Sequence, residues 1–204
     1  MDAPGVTTQP PRIGIFGGTF DPIHVGHLVA AVNVRFALGL DRLLLVVANQ
    51  PWQKEGLRSI TPAEDRYALV AAAVGDVEGL EASRIEIDRG GPSYTADTIV
   101  EVAAANPGAD LFCVVGADAA DVLDTWERHE VIAALATLVV VNRPGSVRTA
   151  PLTAWRVVEV EVPALEVSST DLRARAADGR PLEYLVPEGA IRCIRARGLY
   201  AGGR

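Results

Sequence analysis

The sequence predicts an α/β fold built on a mostly parallel, doubly wound sheet with helices on both faces. Short β-branched apolar runs alternate with longer segments of helical periodicity. Most of those runs are apolar throughout, as expected of strands covered on both sides. The segments of unusual composition each come directly after a strand candidate, and an open parallel sheet binds its ligands at that rim.

The strand candidates are Arg12 to Phe16, Arg42 to Ala48, Ser83 to Ile87, Asp110 to Val115, Thr137 to Asn142 and Val157 to Val162. SRIEI and VVEVEV alternate instead of running apolar, which places them nearer the sheet edges. Between the strands lie helix candidates over Gly26 to Leu38, Thr95 to Ala105 and Val131 to Leu135. Thr61-Pro-Ala-Glu64 reads as a capping box with proline at the first helical position. Ser168-Ser-Thr-Asp171 reads as a second box, and Pro187 opens a helix that stops near Gly198. Pro144 to Ala154 reads as the most mobile loop. The whole is a Rossmann-like arrangement: a tail over residues 1–11, then a single domain over 12–204.

Composition narrows the function. Apolar residues make up 49% and charged residues 22%, which suits a large core and excludes general disorder. No apolar run reaches the ~20 residues of a membrane span, and the first residues lack the features of a signal peptide, so a cytoplasmic protein is expected. A net charge of −7 argues against a nucleic-acid surface. Cys113 and Cys193 lie far apart in apolar segments and read as buried thiols. Of 19 basic residues only Lys54 is a lysine, which marks a position where an ammonium group is needed.

Six segments follow the strand candidates: GGTFDPIHVGH, NQPWQK, DRGGPSYT, GADAAD, NRPG and PALEVSSTDLR. In the first, Gly17 and Gly18 let the backbone approach a phosphate, and a helix start beyond them offers unpaired N–H groups and a positive dipole end. His24 and His27 flank Gly26 there and add two imidazole donors for the same anion. A zinc site is the competing reading, but His129 is the only other histidine, so ligands are short.

Residues 17 to 27 resemble the GGxFDPxHxGH signature of the HxGH nucleotidyltransferase superfamily, and Val167 to Arg173 resemble its second signature, ISSTxxR. The two stand about 140 residues apart in the right order. PWQK, DRGGPSYT, GAD followed by a tryptophan, and RPG narrow the resemblance to nicotinate mononucleotide adenylyltransferases, over about Arg12 to Tyr200. The departures are Val167 for the commoner isoleucine and Leu172 before Arg173. Phosphopantetheine adenylyltransferases and cytidylyltransferases share the first signature but lack SYT and PWQK in this arrangement. A non-catalytic nucleotide-binding regulator would keep the glycines but could lose His24, His27 or Arg173, all present here.

The resemblance implies transfer of AMP from ATP to a pyridine mononucleotide, with release of pyrophosphate. Whether the pyridine bears a carboxylate or an amide stays open, and a homo-oligomer is compatible with the sequence. His24, His27, Lys54 and Arg173 are expected to carry the chemistry. Gly17, Gly18, Thr19, Phe20, Gly116, Asp118, Ser168, Ser169 and Thr170 join His24, His27 and Arg173 around ATP. Thr19, Lys54, Tyr94, Thr95, Asp118, Trp126 and Arg143 surround the mononucleotide. Magnesium is expected to arrive with ATP, since no carboxylate cluster suggests a protein cage.

Several of these residues have structural readings as well. Asp118 suits a helix N-cap, and Tyr94 and Thr95 suit a turn and a cap. Val122, Leu123 and Trp126 are spaced as one apolar helix face, so the indole fits either a core or a ligand. Arg66, beside Glu64 and Asp65, reads as a solvated structural residue.

Overall fold

The computed structural model describes residues 9–51, 59–142 and 154–202. Six strands, β1 (Arg12–Gly18), β2 (Arg42–Val47), β3 (Leu80–Ser83), β4 (Asp110–Gly116), β5 (Ala136–Asn142) and β6 (Val157–Glu161), form one sheet in the order β3-β2-β1-β4-β5-β6. Every neighbouring pair is parallel. The order reverses between β1 and β4, where crossovers leave in opposite directions and a crevice opens at the carboxyl ends.

Eight helices are described: α1 (Val25–Leu38), α2 (Ala63–Val74), α3 (Ile85–Arg89), α4 (Thr95–Ala105), α5 (Ala117–Ala120), α6 (His129–Leu135), α7 (Ser169–Ala177) and α8 (Glu188–Arg197). The apolar run of β4 shows why continuous hydrophobicity was needed. Phe112 and Val114 enter a core shared with α1, α2, α7 and α8, while Leu111, Cys113 and Val115 enter a second core with α4 and α6 on the opposite face. Successive side chains point to opposite faces, and both faces are dry. Gly14 on β1 is required by packing, because a Cβ there would lie 2.8 Å from Leu40 Cδ1.

The two edges are β3 and β6; VVEVEV supplies β6, whereas of SRIEI only Ser83 lies in β3. The expected strand over Ser83 to Ile87 is therefore a correction: pairing with β2 covers Leu80–Ser83, and Ile85–Arg89 turns into helix. Side-chain pairing explains the switch. Arg84 donates to Asp88 at 2.8 Å and Arg89 approaches Glu86 at 3.8 Å, spacings of four and three residues that a helical turn satisfies and a strand does not.

The box at Thr61 is also corrected. Pro62 is the N-cap and no side chain caps the helix. Thr61 instead offers its carbonyl to Arg66 Nε at 2.7 Å, and the Glu64 carboxylate is engaged by Arg84 at 2.9 Å. At α7 half of the expected box forms: Ser168 Oγ accepts from the Asp171 N–H, whereas the Asp171 carboxylate pairs with Arg175. Cys113 is buried and Cys193 half-buried, both free. Among the described residues no helix is long and apolar enough to cross a membrane. Most of the expected tail, and the expected mobile loop up to residue 153, lie outside the described residues.

Candidate active site

The β1–α1 connection is shaped by close approach. Phe20 has φ +48° and turns its ring inward, where a Cβ on Gly18 would lie 2.7 Å from it. The ring meets His27 edge-on at 5.0 Å. A Cβ on Gly26 would lie 3.0 Å from Val167 Cγ1 and 3.1 Å from His24 Nδ1, so a side chain there would press the second signature segment and the His24 ring away.

His24 and His27 stack with ring centroids 3.7 Å apart. The His24 N–H donates to His27 Nδ1 at 3.2 Å, which in a neutral ring leaves the proton, and a donor, on Nε2 of His27. His24 is buried, and desolvation pushes its pKa down to about 4, so the imidazole is neutral at pH 7. Its Nδ1 is buried without a partner.

The second signature is fastened to the first by side-chain to main-chain bonds. Ser169 Oγ donates to the Pro22 carbonyl at 2.9 Å, and Arg173 donates to the Asp21 carbonyl at 2.7 Å and to Thr170 Oγ1 at 3.1 Å. The buried Asp21 carboxylate accepts from Tyr200 Oη at 2.8 Å. Burial, with the Asp21 charge nearby, pushes the Tyr200 pKa up and keeps the phenol protonated as the donor.

Two clefts open at the carboxyl rim. The larger, about 870 Å³, is lined by His24, Gly26, His27, Gly116, Asp118, Ser168, Ser169, Thr170 and Arg173. The smaller, about 230 Å³, is lined by Gly17, Gly18, Thr19, Tyr94, Thr95, Cys113 and Trp126, among others. Tyr94 is the N-cap of α4 and Thr95 its first residue, so the N–H groups of an eleven-residue helix begin at this cleft.

Most expected site residues are therefore brought together. Gly17 and Gly18, expected around ATP, and Thr19, expected around both substrates, line the smaller cleft with Tyr94, Thr95 and Trp126. Phe20 lines neither; its side chain is core. Asp118 lines the larger cleft and is not an N-cap, since Gly116 occupies that position. Val122, Leu123 and Trp126 do not share a helix face, because a 3-10 turn at Leu123–Thr125 leaves Val122 exposed and buries Leu123. Trp126 is half-buried: it packs on the second core and lines the smaller cleft, with Nε1 buried and unpartnered. Lys54 and Arg143 lie outside the described residues.

Two residues escaped the sequence reading. Glu86 is a buried carboxylate lining the smaller cleft and accepts from Thr98 Oγ1 at 2.6 Å. Arg66 is the sharper correction: it is 1% exposed, not solvated. It occupies the apolar register of α2 with Leu69, Val70, Ala73 and Val74, spaced i, i+3, i+4, i+7 and i+8, and that spacing was the available signal.

A switch-point crevice whose glycine turn, paired histidines and second-signature arginine converge on one rim defines a nucleotidyltransferase of the Rossmann-like class. The family described as cytidylyltransferase-like matches residues 15–175. A Streptomyces coelicolor protein named "Probable nicotinate-nucleotide adenylyltransferase" is 50% identical over 91% of this chain and 99% of its own. One of the same name from Corynebacterium kroppenstedtii is 48% identical over 95% of this chain and 93% of its own. The structure of Plasmodium falciparum nicotinic acid mononucleotide adenylyltransferase complexed with NaAD superimposes with a TM-score of 0.76 at 16% identity, covering 93% of this chain and 97% of that one. The chain belongs to the cytidylyltransferase-like family and, within it, to the nicotinate-nucleotide adenylyltransferases.

Proposed function

We propose that the chain, working as one nucleotidyltransferase domain from Arg12 onward, transfers AMP from ATP to nicotinate mononucleotide, giving nicotinate adenine dinucleotide and pyrophosphate in NAD biosynthesis. The observation that carries this reading is the pair of clefts lined from β1, β4 and the segments that follow them, one rich in phosphate donors and one walled by glycine backbone and an indole. ATP occupies the larger cleft and the mononucleotide the smaller. Such a division lets the mononucleotide phosphate approach the α-phosphorus between them.

A phosphate monoester is already mostly dianionic at pH 7, so the nucleophile needs no strong base. Alignment of two anions and stabilisation of charge growing on the α-phosphate and pyrophosphate are what the reaction requires. Neutral His24, the Nε2 donor of His27, the Arg173 guanidinium, Ser168, Ser169 and Thr170 serve that end, joined by Lys54. Gly116 and Asp118 shape the ATP cleft. Magnesium arrives with the ATP phosphates; among the described residues no group of three His, Cys, Asp or Glu is placed to hold a metal ion.

On the mononucleotide side Gly17, Gly18 and Thr19 present backbone, and Trp126 offers its face to the cationic pyridine. The start of α4 at Tyr94 and Thr95 favours a carboxylate on that ring over an amide, because a helix N-terminus attracts negative charge. Arg143 is assigned to the mononucleotide phosphate by resemblance alone. The reaction fits a cytoplasmic enzyme whose partners are these small molecules, not nucleic acid or membrane. Incubation with MgATP and either nicotinate or nicotinamide mononucleotide, with products separated by chromatography, tests the proposal. Abundant dinucleotide with nicotinate and little with nicotinamide is expected; no dinucleotide with either overturns it.

A further inference from the structure

Arg66 is a charged residue in an apolar stripe, and among the described residues it donates to main-chain carbonyls of three separate segments. It donates from Nε to Thr61 at 2.7 Å and from its two Nη atoms to Thr19 at 2.8 Å and Asn49 at 3.1 Å. Burying a guanidinium carries a desolvation cost that hydrogen bonds only partly offset, and an apolar residue at the same point of α2 would avoid it. The cost is repaid in geometry, because the Thr19 and Asn49 carbonyls lead toward the smaller cleft.

Thr19 lines that cleft directly, and Ala48, also in its lining, donates its N–H to Gly18 at 3.0 Å. Asn49 passes the tie onward: its N–H donates to Ser93 Oγ at 2.8 Å and its side chain to the Gly91 carbonyl at 2.9 Å, while the Ser93 N–H donates to Gln50 at 2.9 Å. Ser93 adjoins Tyr94 and Thr95 in the cleft wall. A single guanidinium thus joins the glycine turn, the end of β2 and the entry to α4, yet lines neither cleft itself.

We propose that Arg66 is a positioning residue for the mononucleotide cleft, setting the spacing of its walls through the Thr19 and Asn49 carbonyls. The proposal rests on the assignment of the smaller cleft to the mononucleotide. The planar five-donor fork can serve three carbonyls in fixed directions, whereas a lysine ammonium presents a single point.

The test is calorimetric binding of nicotinate mononucleotide and, separately, α,β-methylene-ATP to the parent chain, Arg66→Lys, Arg66→Met and Leu69→Ala. Losing well-directed charged hydrogen bonds predicts that Arg66→Lys weakens the mononucleotide about tenfold and the ATP analogue by less than about twofold. Leu69→Ala removes a neighbour in the same stripe, so it should lower the melting temperature while leaving the ratio of the two affinities unchanged. Arg66→Lys that weakens both ligands alike, or shifts only the melting temperature as Leu69→Ala does, overturns the proposal. Should Arg66→Lys fail to accumulate folded, Arg66→Met decides, because it suits the apolar stripe and removes all the bonds to the carbonyls: selective weakening of the mononucleotide upholds the proposal, and an unchanged or uniform response refutes it. A parent chain that makes no dinucleotide indicts the functional assignment instead.

Discussion

The larger cleft is made of donors and the smaller of surfaces. Around the first stand two imidazoles, three hydroxyl-bearing residues and Arg173, gathered from loops that a glycine lets meet. Around the second stand glycine backbone, Tyr94, a buried thiol and the half-buried Trp126. A triphosphate is recognised by the number and direction of its hydrogen-bond donors, a pyridine ring by a flat wall and a helix end. Both clefts nonetheless hold a titratable group kept neutral by burial: His24 with its pKa near 4, and the Cys113 thiol pushed up to about 12.

If the larger cleft is where charge develops, His24→Ala and His27→Ala should have the largest effects. Each should lower kcat by ~10² to 10³ with smaller changes in KM, as expected for a lost donor to a developing anion. Steady-state kinetics check this, and unchanged turnover in either variant would remove that histidine from the chemistry.

The neutrality of His24 gives the next largest effect, on stability. Its folded pKa of about 4 lies below the ordinary 6.5, so between those values the unfolded chain holds the proton and the folded chain does not. Stability should fall by up to about 3 kcal/mol as pH drops from 6.5 to 4, then level off with respect to this group. Urea midpoints across that range are expected to decline less steeply in His24→Gln; parallel curves would show that acid lability arises elsewhere.

For the smaller cleft the sharper probe is Trp126. Losing a cation–π face costs ~0.5 to 2 kcal/mol, so Trp126→Ala should weaken nicotinate mononucleotide several-fold and leave ATP nearly untouched. Because the indole also packs on the second core, the melting temperature should fall too. Trp126→Phe should recover most of the stability and part of the affinity. Equal loss of both substrates would make the residue core alone.

Ser169→Ala has the smallest expected effect. It deletes one bond to the Pro22 carbonyl and should lower stability by about 0.5 to 1.5 kcal/mol. Its KM for ATP should rise more than that for the mononucleotide; the reverse order would dissolve the division between the clefts.

Much of this architecture was legible in the chain. Strands buried on both faces announce themselves as continuous apolar runs, and β4 is the clearest case. The edge nature of β6 was legible too, but the alternation of SRIEI misled about β3, which runs Leu80–Ser83 and shares only Ser83 with it. Period-two polarity and a short amphipathic turn look alike over five residues, and only the pairs Arg84–Asp88 and Arg89–Glu86 separate them. Arg66 was misjudged because its acidic neighbours suggested solvent, although its register pointed inward. Phe20 and the glycines share one motif yet divide between core and cleft, since a φ of +48° reverses the direction of a side chain and no spacing rule carries that. The split of the site into two clefts depends on which face of the sheet each loop leaves by, a property of crossover topology beyond any local segment.

The bonds that tie Pro22 and Asp21 to Ser169 and Arg173 span 147 and 152 residues of chain. During synthesis at ~5 to 20 residues per second, the first signature would wait several seconds or more for the residues that complete it. A nascent chain that has released β1 and α1 but not α7 holds the two histidines without the Arg173 guanidinium on the same cleft. Catalytic competence should therefore appear late and abruptly on the ribosome, and chains arrested before Arg173 should be unable to consume ATP.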